Sequence, residues 1–311
     1  MKKLSLLFTA VAITAIVFTG CKKKESGPSG GNSNETAWFE PEQKQRSLMF
    51  NFTATWCTYC GLWGHPTFHS AETSLGDNAL PFAIQGGQSE LSAVQYKPSN
   101  DTPYYARHLS EFTSSLQGIT VGGYPTLCVN NKSGYAGGSQ ATMVNDANAF
   151  NSISPVANIE FGITKNANGF VAKTTTKFFK ETNGEYFITM FITQNGINHR
   201  QNVGGTYQNS YTHDNIIRAY PITNAKETAG SLAGLNKTFG NAIISGSIAA
   251  GKFVNTELTY VADNKTTMMP AGWDVFMWDQ NNTSNLFVTA IVWKKEDSGK
   301  YSFVNGVRKP I

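Results

Sequence analysis

The sequence predicts an α/β domain followed by an all-β antiparallel sandwich domain, and three observations carry that expectation. From about Trp38 to Ile153, strand-like apolar runs alternate with helix-like ones, the pattern of a layered α/β structure. From Pro155 onward the helical period is lost. Short alternating runs take over, punctuated by turn pairs such as Asn168-Gly169, Asn183-Gly184, Asn195-Gly196 and Ser298-Gly299. About 275 residues follow a polar N-terminal stretch, with 12% aromatic and 15% charged residues, which is too long for one typical domain and suited to two. The expected division is 1–20, 21–36, 37–154 and 155–311.

The chain opens on an address label: a basic start at Lys2 and Lys3, an apolar run over 4–18, then Phe18-Thr19-Gly20-Cys21. This resembles a bacterial lipoprotein signal, and the resemblance implies cleavage before Cys21 and acylation of that cysteine. An ordinary signal peptide or an N-terminal membrane anchor is the alternative. Loss of residues 1–20 removes Lys2 and Lys3 and no acid, so a formal charge of +4 becomes +2. Nucleic-acid binding then has no electrostatic support. Acyl chains would hold the protein at a bilayer surface, anchored and not spanning, and no later apolar run approaches the ~20 residues that cross a membrane. The expected location is the cell envelope, at the outer membrane. Residues 22–36 are mostly Lys, Ser, Gly, Asn and Glu, and such a segment buries too little apolar surface to offset the entropy of ordering it. As a tether it would span about 20 Å on average and roughly 50 Å when straight.

In the first half the alternation predicts strands over 48–55, 81–85 and 126–130 and helices over 59–75, 104–116 and 141–153. Where the first strand meets the first helix, the sequence reads Trp56-Cys57-Thr58-Tyr59-Cys60. That is the C-x-x-C spacing of a thiol-disulfide site. A cysteine at a helix N-terminus sees unpaired backbone N–H groups and the positive end of the macrodipole. Its thiolate is thereby stabilised, and its pKa is expected to fall below the ~8.5 of a free cysteine. Cys60, one turn later, can reach Cys57 without backbone movement. The pair can alternate between dithiol and disulfide, Cys57 attacking a substrate disulfide and Cys60 resolving the mixed disulfide.

Residues 119–127 read I-T-V-G-G-Y-P-T-L. With W-C-x-x-C, and over roughly residues 45–153, this resembles the thioredoxin superfamily. The resemblance implies that Pro125 follows a cis bond and that the Tyr124 backbone lies beside Cys57 to pair with an extended substrate. Trp56 and Thr126 complete that binding edge. It also implies that Pro125 keeps a metal from using both thiols. Two departures stand out. Many relatives carry a buried Asp six residues before the first cysteine, where this chain has Asn51, and an amide is no general base at neutral pH. The 64 residues between Cys60 and Pro125 exceed what compact members need, with the surplus expected over 88–103 as a surface loop or a groove-shaping insertion.

The second half is expected to form strands over 157–164, 170–179, 186–194, 215–220, 242–248, 253–261, 273–278 and 286–293. With the lipoprotein start and the His213–Arg218 run H-D-N-I-I-R, it resembles the Omp28-related outer-membrane lipoproteins of Bacteroidetes-type bacteria. This half holds no cysteine, so it is expected to recognise or position a partner, not to relay electrons.

Other candidates have plainer readings. Cys57, Cys60, His65 and His69 spell C-x2-C-x4-H-x3-H, but zinc fingers place a longer loop between the pairs. Pro66 fits the early helix only with a local bend. Cys128, inside a predicted strand, reads as a small buried apolar residue before a third redox thiol. His213, Asp214 and Arg218 read as an ordinary loop-to-strand transition before a polar site. Of Trp273, Phe276, Trp278 and Trp293, a binding platform is one reading and core is the other. No phosphate-binding loop, serine elbow or H-E-x-x-H run is present, and no cofactor or metal is implied. The expected function is thiol-disulfide exchange on envelope or surface proteins, and the alternative is an outer-membrane adhesin or ligand-binding lipoprotein using the first domain as scaffold.

Overall fold

The structure is a computed structural model describing residues 36–86, 89, 91, 93–96, 103–105, 112–219, 238–262 and 278–311. Cys21, Trp273 and Phe276 lie outside the described residues.

Strand β1 (Ser47–Thr53) is buried along its whole length. Residues alternate between faces in a strand, so Leu48, Phe50 and Phe52 point one way and Met49, Asn51 and Thr53 the other. A helical stretch follows, π-helical over Cys60–Gly64 and α-helical over His65–Leu75 (α1). β2 (Ala79–Gln85) then returns parallel to β1, in register from Ser47 opposite Ala79 to Thr53 opposite Gln85. β5 (Thr126–Val129) runs antiparallel to the other edge of β1, and β6 (Lys132–Tyr135) antiparallel to β5. α2 (Gln140–Asn151) lies with α1 on the Met49 face, where Phe68, Leu75, Leu127 and Met143 are buried together. Of the helix expected over 104–116, residues 106–111 lie outside those described. Pro103–Tyr105 is strand β4, paired with β3 (Ala93–Tyr96), and only residues 112–115 are helical among those described.

In the second half, β7 (Ala157–Asn166), β8 (Gly169–Phe178) and β14 (Phe253–Val261) form a three-stranded antiparallel sheet. Its apolar face, with Ile159, Phe161, Phe170 and Leu258, packs on Met190, Val288 and Val292 of β9 (Thr182–Gln194) and β15 (Leu286–Lys295). Two antiparallel layers thus face each other over a common core, as in a sandwich. β13 (Asn241–Ile248) and β16 (Tyr301–Pro310) extend the larger layer through β9 and β15. The fold is therefore mostly β with few helices, a mixed sheet plus antiparallel sheets.

The larger sheet continues across residues 154 and 155. β12, only Ile216–Ile217, pairs parallel with β2 and antiparallel with β9. One sheet results, in the order β16-β15-β9-β12-β2-β1-β5-β6, with β13 also on β9. Phe50 and Phe82 from the first half share a core with Phe191, Ile291 and Trp293 from the second, and the Phe82 and Phe191 rings are 5.4 Å apart. Each such fully buried side chain contributes about 1.5–3 kcal/mol of transfer free energy.

Besides β3, β4, β6 and β16, a hairpin beside the first helix lies outside every expected strand: β10 (Ile197–Val203) and β11 (Thr206–His213). Its sequence is almost wholly polar, so no alternation marks it. The turn signal is Gly204-Gly205, with φ of +62° and +97°, the positive-φ pair that a two-residue hairpin turn requires.

Candidate functional site

β1 ends at Thr53, and the chain turns through Ala54, Thr55 and Trp56 before the helical stretch opens at Thr58. The turn is closed by the Cys57 N–H donating to Ala54 O at 3.2 Å. Cys57 and Cys60 are joined by a disulfide, and the Cys60 N–H points at Cys57 Sγ from 3.1 Å. Cys57 is 5% exposed and Cys60 fully buried. The local bend that Pro66 demands is the π-helical segment ahead of it. Proline has no N–H for the carbonyl four residues back, and the wider turn accommodates its ring.

Against this turn lies the loop before β5. The Tyr124–Pro125 bond is cis. Pro125 sits directly over the helix: a Cβ on Gly64 would come within 2.7 Å of Pro125 Cβ and Cγ. Tyr124 packs with Ala54, Cys57 and Cys60, and its ring meets Trp56 edge-on at 5.8 Å. Gly86 is required beneath it, since a Cβ there would run into the phenol ring. Thr126 turns inward, its hydroxyl donating to Gly123 O at 2.7 Å, and so holds the loop. Trp56, Tyr59 and Leu62 present large apolar surfaces to solvent around the disulfide.

The β10–β11 hairpin presses on the same turn from the other side. Asn202 N–H donates to Thr55 O at 2.8 Å and Gly204 N–H to Thr58 O at 3.2 Å. The buried Gln201 Nε2 donates to Ala54 O, Cys57 O and Asn202 O at 3.2, 3.1 and 3.0 Å. Gly61 allows this approach, because a Cβ there would stand 2.5 Å from Asn202 O. Gln201 and Gly61 were not legible as site residues: the hairpin is polar, and more than 140 residues separate Gln201 from the carbonyls it holds.

Asn51, on the helix-facing side of β1, is fully buried, and neither its Oδ1 nor its Nδ2 has a hydrogen-bond partner among the described residues. It lines a cavity of about 370 Å³ between α1, β2 and the β11–β12 segment, with His65, Glu72, Tyr211 and Asp214 also on its wall. His65 Nε2 lies 3.1 Å from Thr53 Oγ1, and its ring stands 5.4 Å from His213 and 5.6 Å from Tyr211. Burial, then the neighbouring His213, lowers the His65 pKa to about 3. Burial, then His199, lowers His213 to about 4. Glu72 takes both hydrogen bonds of Asn215 Nδ2, at 3.0 and 2.9 Å, and burial raises its pKa against those bonds and Arg308.

The C-x2-C-x4-H-x3-H residues do not converge. The cysteines bond each other, His65 turns to Thr53, and His69 Nδ1 lies 3.8 Å from Glu72 Oε2. His213, Asp214 and Arg218 also part company: Asp214 Oδ1 accepts from the Gly196 N–H at 2.8 Å, His213 faces His65, and Arg218 is buried in the sheet with its N–H on Ile192 O. Cys128 is fully buried opposite Phe50, and burial pushes its thiol pKa up. Trp278 and Trp293 are core residues, their indole N–H groups donating to Asn166 O and Thr189 Oγ1, both at 3.0 Å.

Neither a comparison with protein-family profiles nor one with curated proteins finds a match. Among solved structures, HBP35 of Porphyromonas gingivalis, a Bacteroidetes protein, is similar in fold. The TM-score is 0.60 at 16% identity, covering 88% of this chain and 77% of that one. At that identity the likeness speaks for the fold alone, and the thioredoxin-like and Omp28-related assignments rest on the sequence motifs.

Proposed function

We propose that this protein is an extracytoplasmic thiol-disulfide oxidoreductase, lipid-anchored through Cys21 at the outer membrane, acting on envelope or surface proteins through Cys57 and Cys60. The observation that carries the reading is the Cys57–Cys60 disulfide at the head of a helix, faced by the cis Tyr124–Pro125 loop. The path from β1 through the helix to parallel β2, then antiparallel β5 and β6 and helix α2, supports the reading by setting helices beside a sheet on the side of the disulfide-bearing helix.

In the reducing direction, the Cys57 thiolate attacks one sulfur of a client disulfide. A mixed disulfide forms and one client thiolate leaves. The Cys60 thiolate then attacks Cys57 Sγ, the second client thiol leaves, and the Cys57–Cys60 disulfide is formed; an envelope dithiol donor returns the two electrons. Run backwards, the same steps oxidise a client dithiol. Cys57, the less buried of the pair, takes the attacking role, and the Cys60 N–H aimed at its sulfur stabilises negative charge there. Tyr124 and Pro125 offer the backbone edge along which an extended client pairs, with Trp56 beside it. Asn51 supplies no base for Cys60.

Reduction of insulin by the purified protein with dithiothreitol tests this, with Cys57→Ser as control. Turnover above the uncatalysed rate, lost by about 100-fold or more in the variant, is expected; equal rates for the two proteins refute it. A rival reading, an outer-membrane adhesin or ligand-binding lipoprotein, is favoured by the 5% exposure of Cys57 beneath the hairpin. It predicts that Cys57→Ser leaves binding to host or envelope ligands intact and that no client adduct forms.

A further inference from the structure

The cavity beside α1 is separate from the disulfide in its chemistry. Its floor is Asn51 and Ala83, both buried, its wall includes Phe68 and Pro66, and its rim is His69 and Thr212, both exposed. A volume of about 370 Å³ with polar groups converging from several elements, and Pro66, Phe68 and Ala83 as its apolar share, has the size of a small-molecule pocket and a lining that suits a polar guest.

The charges that face it come from four elements. α1 brings Glu72, His65 and His69; β11 brings Tyr211, with His213 behind His65; Asp214 lies in the turn before β12; Arg308 of β16 acts on Glu72 from behind. Arg308 is engaged elsewhere, donating to Asn195 Oδ1 at 3.3 Å with its guanidinium 4.0 Å from the Phe287 ring centre. His65 and His213 are neutral at physiological pH. Two carboxylates therefore face one cation that is itself outside the lining, an excess of negative charge that disfavours an anionic guest and favours a cationic one. The second, independent observation is Asn51. A fully buried amide lining the cavity, with neither polar atom paired among the described residues, is a group that a polar guest satisfies.

We propose that this cavity binds a small organic cation, a primary ammonium or guanidinium group, with Glu72 and Asp214 holding the charge and Asn51 closing the floor. Asn215 keeps the Glu72 carboxylate aimed, occupying one lone pair on each oxygen and leaving others for the guest. The site is independent of the redox reading, and its test involves no disulfide chemistry.

The test is calorimetric titration of the full chain in detergent with n-butylammonium, against butanol and butyrate as neutral and anionic counterparts of the same length. Butylammonium is expected to bind at least about tenfold more tightly than butanol, and butyrate not at all; tenfold corresponds to about 1.4 kcal/mol. Glu72→Gln, which keeps the side-chain length and the Asn215 partner, should lose about tenfold or more, and Asn51→Leu, which keeps the branched shape but offers no polar atom, should also weaken the ammonium probe by about tenfold. Should Asn51→Leu fail to fold, Glu72→Gln alone decides. Nα-acetyl-lysine amide binding as tightly as butylammonium identifies a peptide side chain as the guest, and binding by butylammonium alone identifies a free amine. Equal affinity for butanol and butylammonium, an unchanged Glu72→Gln, or no binding by any probe overturns the proposal.

Discussion

The two flanks of one helix face opposite environments. At its head, Cys57 and Cys60 lie in an apolar setting of Ala54 and Tyr124 rimmed by Trp56, with the Cys60 N–H directed at the Cys57 sulfur. Along its side, two turns on, His65 and Glu72 face Asn51, Tyr211 and Asp214 across a polar cavity. The first environment suits a bond that is broken and remade by a partner reaching from outside; the second suits capture of a charged group. A single helix therefore separates the proposed redox site from the proposed binding site, and the β10–β11 hairpin contributes to both, through Gln201 at the disulfide and Tyr211 at the cavity.

Substitutions can break this contrast at either flank. Gly61→Ala acts at the head: its Cβ would stand 2.5 Å from the Asn202 backbone oxygen, so the hairpin must move. A loss of about 1–3 kcal/mol is expected, read as a lower denaturation midpoint, with the Cys57–Cys60 turn becoming more accessible to thiol reagents on reduction.

On the other flank, pH is the probe. His65 and His213 have folded pKa values of about 3 and about 4, below the 6.5 of the unfolded chain. Between those values and 6.5 the unfolded state binds more protons, so stability is present above pH 6.5 and is lost as pH falls through that window. Each histidine contributes a slope of at most about 1.4 kcal/mol per pH unit. Urea titrations between pH 7 and 4 should show the decline, and His65→Gln should flatten it; parallel slopes for both proteins count against the burial of His65.

The smallest effect belongs to Glu72. Burial raises its folded pKa, so ionising it costs more in the folded state than in the unfolded one, and the penalty appears as pH rises above the carboxylate range. Glu72→Gln should therefore raise the melting temperature slightly at neutral pH and not at acid pH. A lowered melting temperature at neutral pH would show that the Asn215 and Arg308 interactions outweigh burial.

The head of the helix was legible because it is local. Two cysteines three residues apart, at the end of an apolar strand, need no tertiary information, and the G-G-Y-P-T run supplied the facing loop. The cavity was not, because it is assembled from residues 51, 65–72 and 211–215, brought together by a polar hairpin that leaves no hydrophobic period to read. In sequence Asn51 stands out only as an amide at a position where thioredoxin-like proteins often carry an acid, and its place in the cavity depends on the fold. Most strands of the second half were readable from alternation, whereas β10, β11 and β16 were not. Nor did sequence announce that the sheet is continuous: the joining strand is only Ile216 and Ile217, and two apolar residues carry no period.

The central claim is that Cys57 reacts with a partner's sulfur and Cys60 releases it. Its most direct test is mass spectrometry of the Cys60→Ser protein, reduced and then exposed to oxidised insulin or glutathione. A stable mixed disulfide on Cys57 is predicted, absent from the wild type because Cys60 resolves it. No adduct on Cys57, or an adduct equally persistent when Cys60 is present, would contradict the account.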